Sequence, residues 1–270
     1  MIELIALYVF ISVILLAIIY IFVFLRPEKR GLDKFYLRPY AHRGLHGEGI
    51  PENSMAAFRA AVKAGYGIEL DLQLSADGEV MVMHDYSTLR MTGADKRLSE
   101  LTFCELRSLK LSGTNETIPT LREVLDEVDG RVPLLIELKG ESTDVSLCPA
   151  ANAVLGEYNG GYVIESFNPM MLMWYRKNRP DIMRGVLITN ICRENGVSVL
   201  NVALSAMLTN IISRPNFIAY DLRRRHFLPI WLCKVLFGIP RFGWTVKSED
   251  AVKIAKSEKA LPIFENIDPK

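Results

Sequence analysis

Between residues 39 and 270, short apolar runs bounded by Gly, Pro or Asp alternate with stretches of helical spacing. This alternation limits the fold more than any other feature. The candidate strands are Tyr40–Arg43, Gly67–Leu72, Val80–His84, Pro133–Leu138, Tyr162–Ser166, Arg184–Ile188, Phe217–Tyr220 and Arg241–Val246. Ser54–Ala64 opens with a capping Ser, and Thr120–Val128 follows Pro119 with a capping Thr. Pro169–Asn178, the stretch around Val202–Ile212, Leu228–Phe237 and Ser248–Ser257 also suit helices. Eight strands with interleaved helices in about 230 residues fit an α/β chain folded as a TIM (β/α)8 barrel. A doubly wound open sheet shows the same alternation, so periodicity alone leaves both architectures standing. One spacing is irregular: about fifty residues separate His84 from the Pro133 strand, and only Leu121–Val128 among them reads as a crossover helix. Residues 86–118 are therefore expected to form a short insertion after the third strand, overhanging the C-terminal face.

The start of the chain is of a different kind. Leu4 to Leu25 carries no charged residue, and about 22 residues at 1.5 Å rise span roughly the 30 Å hydrocarbon core. A secretory signal would begin with basic residues and end at a small-residue cleavage site. Here the start carries Glu3, and no such site follows Leu25. The expected division is a transmembrane anchor over 1–26, a basic juxtamembrane linker over 27–38 and a barrel over 39–270. Arg26, Lys29, Arg30, Lys34 and Arg38 follow the span. The positive-inside rule then makes this a single-pass protein of the cell membrane with its main domain in the cytoplasm. The net charge of +1 gives no global bias toward nucleic acid, so no such partner is expected. None of the four cysteines forms the CxxC pair that structural zinc sites use.

Reactive side chains of a barrel sit at the C-terminal ends of its strands. Here the strand ends read His42-Arg43-Gly44, Glu69-Leu70-Asp71, His84-Asp85 and Glu137-Leu138-Lys139. Glu69 and Asp71 are two apart, so both point to one face of their strand. Like-charged neighbours buried together disfavour ionisation unless a cation compensates. With Glu137 they make three hard oxygen ligands, which suit Mg²⁺ or Ca²⁺. The same carboxylates could instead be exposed, or paired with Arg43 and Lys139. His42 and His84 beside them can serve as general acid and general base. Arg43 and Lys139 offer positive charge for a phosphate. His46 reads as a loop residue, and the run Arg223–His226 as a solvated loop or a contact for an anionic headgroup. The apolar stretch Phe227–Pro240 reads as an ordinary barrel helix or as a surface that dips into lipid.

Taken as an ordered set, these residues resemble the glycerophosphodiester phosphodiesterase family. Ala41-His42-Arg43-Gly44 and Pro51-Glu52-Asn53-Ser54 look like its opening motif. Gly67-Ile68-Glu69-Leu70-Asp71, Asp77-Gly78, His84-Asp85, Ile118-Pro119-Thr120-Leu121 and Ile136-Glu137-Leu138-Lys139 follow in the family's order. Ser166-Phe167-Asn168-Pro169 and Trp244-Thr245-Val246 match its later strands. The resemblance implies the barrel over the open sheet. It implies one divalent cation, Mg²⁺ or Ca²⁺, on Glu69, Asp71 and Glu137, and catalysis by His42 and His84. It assigns Arg43, Glu52, Lys139 and Trp244 to substrate binding. The implied reaction is metal-dependent hydrolysis of glycerophosphodiesters to an alcohol and glycerol 3-phosphate. Rival readings are a lysophospholipase D acting on membrane lysophospholipids, a sphingomyelinase-D-like enzyme on a related barrel, and a non-catalytic membrane-bound barrel. Two departures stand out. Ser54 occupies a place where Thr is commoner, and the tail Leu261–Asp268 lacks the family's apolar-Thr-Asp-x-Pro ending, which leaves the closing strand open.

Overall fold

In the computed structural model residues 1–269 are described, the side chains of Glu194 and Asn195 excepted. Among the described residues nine strands form: β1 (Tyr40–Ala41), β2 (Gly67–Leu74), β3 (Val80–Val82), β4 (Leu134–Leu138), β5 (Tyr162–Ser166), β6 (Arg184–Ile188), β7 (Phe217–Asp221), β8 (Arg241–Val246) and β9 (Leu261–Phe264). Eight of them are parallel neighbours, and the ring closes because β1 pairs with both β2 and β9. The chain is a closed (β/α)8 barrel.

Strand periodicity divides its two cores. Tyr40, Leu135, Val163, Leu187, Phe217 and Phe242 point inward and fill the barrel. The alternate residues Ile68, Leu70, Ile136, Ile164 and Ile218 point outward and pack beneath the helices.

The Val80–His84 strand is corrected in its role. Val80–Val82 does form a strand, but it runs antiparallel to the end of β2, with Leu72 opposite Val82, and lies outside the ring. Residues 75–79 join the two. A parallel crossover needs a dozen residues or more, so only a hairpin is open to so short a link. Gly78, at φ +85°, makes its turn. The eighth place in the barrel is taken by β9, in the tail that had no strand assigned.

Helices α1 (Ile2–Ile19), α2 (Met55–Ala64), α3 (Leu89–Thr92), α4 (Phe103–Ser108), α5 (Leu121–Val128), α6 (Leu147–Leu155), α7 (Pro169–Asn178), α8 (Ile191–Asn195), α9 (Val199–Ser205), α10 (Asn210–Ser213), α11 (Leu228–Leu232) and α12 (Glu249–Ser257) complete the chain. Ser54, Thr120, Asn168 and Ser248 cap α2, α5, α7 and α12 by accepting backbone N–H groups, as their positions before apolar-periodic stretches predict. The insertion carries α3 and α4 and has its own apolar cluster, including Met83, Met91, Leu98, Leu106 and Ile118.

The α1 helix continues as a π-helical turn, Tyr20–Leu25. Together they give 24 residues, the most apolar 18 of which have mean hydropathy 3.0, a candidate membrane span that projects clear of the barrel. Only its root makes contact. The Tyr20 hydroxyl donates to the Ala206 carbonyl at 2.8 Å, Phe22 meets Phe237 edge-on at 6.4 Å, and Leu25 is buried.

The basic segment after the span is docked. Glu28 N–H donates to the Pro215 carbonyl, Asn216 donates to the Glu28 carbonyl, and Arg184 pairs with the Glu28 carboxylate. Leu32 and Tyr36 pack under the interior cluster. Residues 26–36 therefore run across the N-terminal end of the barrel, opposite the strand ends that carry the histidines. Along Phe227–Pro240, Ile230 and Cys233 are buried against the barrel. Leu228, Trp231, Val235 and Leu236 form an exposed apolar stripe on the same stretch.

Candidate active site

The site starts from a sharp turn. After β1 the chain places His42, then Arg43 at φ +56° and Gly44 at φ +80°. A side chain on residue 44 would sit 2.8 Å from the Ala57 Cβ, so glycine alone lets α2 approach this closely. The turn aims the Arg43 N–H at Glu69 Oε2, 2.9 Å away. Pro51–Ser54 then returns along it. Asn53 N–H donates to the Arg43 carbonyl, the Asn53 amide donates to Asp71 Oδ2 at 2.9 Å, and Glu52 accepts from Arg43 at 2.8 Å. This short motif thus fixes both a cation and a carboxylate of the site.

Glu69, Asp71 and Glu137 each present an oxygen within 4.8 Å of the others, and all three are buried. Register explains the meeting: Asp71 lies opposite Glu137, and Glu137 opposite Glu165 of β5. Lys139 Nζ bridges Asp71 Oδ1 at 3.1 Å and Glu137 Oε1 at 2.9 Å. Burial raises Glu69 well above the usual carboxylate range, and Asp71 and Glu137 beside it add to the rise. Burial likewise pushes Glu137 up to about 7. At Asp71 burial works against the anion, but Lys139, His84 and Arg43 outweigh it and hold the group below its ordinary value. Glu165 is raised well above its usual value, first by burial and then by Glu69 and Glu137. Its Oε2 is buried without a hydrogen-bond partner.

Four inward carboxylates thus face two basic groups, Arg43 and Lys139. A surplus of two negative charges among hard oxygen donors fits one Mg²⁺ or Ca²⁺. Glu69, Asp71 and Glu137 would hold that ion.

Each histidine is set by a carboxylate on Nδ1. His42 Nδ1 lies 3.2 Å from Glu265 Oε2, and its Nε2 lies 3.9 Å from Glu69. His84 Nδ1 lies 2.7 Å from Asp85 Oδ1, and burial lowers the His84 pKa below the ordinary imidazole value. Hydrogen bonding from His42, joined by Lys247, keeps Glu265 down to about 2. An Nδ1–H held by a carboxylate turns Nε2 toward the reacting groups. The supports are linked: Arg90 donates to Asp85 at 2.5 Å and to Glu52 at 2.6 Å. These rings face a cavity of about 220 Å³ bounded also by Arg43, Glu137, Glu165, Phe167, Thr189 and Trp244.

Of the nine residues expected at the site, His42, Arg43, Glu69, His84, Glu137 and Trp244 border this cavity. Asp71 lies beneath it, 1% exposed. Lys139 borders the adjoining groove. Glu52 stands behind Arg43, its carboxylate occupied by Arg43 and Arg90.

Three site residues escaped the sequence reading: Glu165, Glu265 and Arg90. Parity could have found Glu165, which shares the inward face of β5 with Val163. Glu265 follows the strand that had not been recognised. Arg90 lies in the insertion, and no spacing rule places it.

The fold and this cluster together define a barrel with two carboxylate-held histidines beside a buried carboxylate cluster. The sequence profile of the glycerophosphoryl diester phosphodiesterase family matches residues 42–190, more than half of the chain. The chain belongs to that family.

Among related proteins, it is 35% identical over 162 residues to a glycerophosphodiester phosphodiesterase of Caldanaerobacter subterraneus, a match covering 54% of this chain and 65% of that protein. It is 37% identical over 125 residues to the lysophospholipase D GDPD1 of Rattus norvegicus, covering 42% of this chain and 39% of the relative. The alignments thus span less than two thirds of these relatives. In structure it resembles a phosphodiesterase of Oleispira antarctica solved with sn-glycerol 3-phosphate, with TM-score 0.70 and 23% identity over 86% of this chain and 93% of that one. It also resembles a glycerophosphodiester phosphodiesterase of Thermotoga maritima, with TM-score 0.67 and 24% identity over 87% of this chain and 96% of the other.

Proposed function

We propose that the chain hydrolyses glycerophosphodiesters to an alcohol and glycerol 3-phosphate, with one divalent cation and a histidine acid–base pair. The observation that carries this reading is the pair of carboxylate-held imidazoles facing one cavity beside the Glu69, Asp71 and Glu137 cluster. A bound Mg²⁺ or Ca²⁺ would supply electrophilic stabilisation of the phosphoryl oxygens. The Arg43 guanidinium, braced by Glu52, and the Lys139 ammonium orient the phosphate. Trp244 and Phe167, edge-on at 6.1 Å, wall the substrate in. His84, kept neutral near pH 7 by burial, takes the proton of the nucleophile at Nε2. His42 protonates the departing alcohol, and Glu265 orients its ring through Nδ1.

The test is turnover of glycerophosphocholine by the detergent-solubilised full chain with Mg²⁺, Ca²⁺ or chelator. Metal-dependent release of glycerol 3-phosphate is expected. Equal rates in chelator and in metal would remove the cation from the reading.

A second reading, hydrolysis of lysophospholipids, is favoured by the 24-residue apolar helix and by the likeness to a lysophospholipase D. We assign residues 1–26 to a single-pass anchor, 27–38 to the juxtamembrane segment and 39–270 to the catalytic barrel. The basic residues from Arg26 to Arg38 support a cytoplasmic barrel at the cell membrane. Cleavage of the barrel by protease added outside intact cells would reverse that orientation.

A further inference from the structure

A separate groove of about 450 Å³ lies toward the N-terminal end of the barrel, away from the histidines. It begins where the apolar span ends. Arg26, the residue after Leu25, lines it together with Lys29, Arg176 and Arg214. Arg26 and Lys29 belong to the basic flank that sets orientation. Arg176 and Arg214 do not. The first lies in the last turn of α7 and the second caps α10, and only the fold brings them to the root of the span.

These cations are held in place without being neutralised. Arg176 Nη1 donates to the Ile212 carbonyl at 2.9 Å, and Arg214 Nη1 donates to the Arg26 carbonyl at 2.9 Å. Each guanidinium keeps further N–H donors for an incoming anion. Glu28 also borders the groove, but its carboxylate is taken by Arg184. Among the described residues no carboxylate pairs with any of the four cations. Burial, and then Arg176 and Arg26, lower the Arg214 pKa, as crowded like charges do when no anion lies among them.

The remaining wall is apolar. Phe237 closes the groove and meets Phe22 of the span root edge-on at 6.4 Å. Val235 and Leu236 beside it are exposed. Cations next to an apolar rim and to the end of a membrane span match the boundary between lipid headgroups and acyl chains. A soluble anion would use the cations and leave the apolar rim in water.

We propose that this groove binds the phosphate of an anionic phospholipid, held beside the anchor as a bound lipid and not as a substrate. The proposal rests on the assignment of residues 1–26 as an anchor and is independent of the phosphodiesterase reading. Arg176 and Arg214 supply charge-assisted hydrogen bonds to the phosphate oxygens, and Arg26 and Lys29 add charge.

The experiment titrates the full chain in non-ionic detergent with phosphatidylglycerol or phosphatidylcholine, with and without inorganic phosphate. Bound lipid is counted by native mass spectrometry. Wild type should retain phosphatidylglycerol over phosphatidylcholine, and retain less of it as salt rises. Arg176→Gln should weaken that binding roughly fivefold, and Lys29→Gln by a similar factor. Lys177→Gln removes an equal charge outside the groove and should change nothing. Lys29 is exposed, so its variant decides should Arg176→Gln not fold. Phosphatidylglycerol is itself a phosphodiester and can enter the catalytic cavity, so the difference between variants is the measure. Equal retention of the two lipids, or an equal loss in Lys177→Gln, overturns the site. Displacement of the lipid by millimolar inorganic phosphate overturns the lipid as ligand in favour of a soluble anion. Release of the chain from membranes by alkaline carbonate overturns the anchor assignment instead.

Discussion

The two halves of the barrel are built from different side chains. The wall from β1 to β5 supplies the ionisable groups: His42, Arg43, Glu69, Asp71, Glu137, Lys139 and Glu165. The wall from β6 to β8 gives Leu187, Thr189 and Trp244 to the cavity, and its outer helices carry exposed Leu200, Leu228 and Trp231. The family profile, over residues 42–190, falls mostly on the first wall. On the proposed reading, one wall serves chemistry at phosphorus and the other the body of the substrate. Substitutions in the first should therefore act on every substrate alike, and substitutions in the second should act selectively.

The largest effect should come from the first wall. Glu69→Gln combined with Asp71→Asn removes two of three hard ligands. Activity should fall to background and stop responding to added Mg²⁺, and Mn²⁺ titrated into the protein should no longer bind. A variant that keeps its metal response breaks the assignment. His84→Ala and His42→Ala should each lower kcat roughly 10²–10⁴-fold, the usual cost of lost acid–base catalysis. Mn²⁺ binding should survive in both, which separates the histidines from the ligands.

A smaller effect concerns stability. Glu137, Glu69 and Glu165 all have raised pKa values in the folded chain, chiefly through burial. A raised carboxyl binds its proton more tightly folded than unfolded, so metal-free stability is greatest below the unfolded value and falls as pH rises toward the folded one. For Glu137, going from 4.5 to about 7, the loss is on the order of 3 kcal/mol. Asp71 and Glu265 are lowered, so their contributions are already complete above about pH 5. His84 and His46, lowered by burial, gain stability as pH rises to their unfolded value of 6.5 and offset part of the fall below it, so the decline is steepest above that value. Thermal unfolding in chelator should thus show Tm declining between pH 5 and 8, and saturating Mg²⁺ should flatten the decline. Glu165→Gln should flatten part of it without metal. A Tm that rises over this window would contradict the burial of uncompensated charge.

The contrast also separates what the sequence disclosed from what it hid. The chemical wall was legible because its residues sit at strand ends in short motifs, where period two dictates which side chains meet. Glu69 and Asp71 could be put on one face from spacing alone. The antiparallel role of β3 was legible in principle, since residues 75–79 cannot carry a crossover. β9 was not recognised because Leu261–Phe264 is only four residues long and departs from the family's ending. Glu265 was lost with it. The docking of residues 26–36 under the barrel depends on Arg184 and Asn216, more than 150 residues away, a pairing that no local pattern contains.

The second wall offers the mildest prediction and the one that sharpens the contrast most. Leu228, Trp231 and Val235 recur at helical spacing on the face opposite buried Ile230 and Cys233. Phe22 of the span root meets Phe237 at the end of the same stretch. If this stripe rests in the membrane interface, replacing Trp231 with Ser removes an interfacial anchor but no core contact. Tm in detergent should shift by no more than about 0.5 kcal/mol in equivalent stability. Glycerophosphocholine turnover should be unchanged, while turnover of lysophosphatidylcholine presented in vesicles should fall severalfold. An equal fall on both substrates would mean that α11 serves only the fold, and the division between the two walls would then not reach this helix.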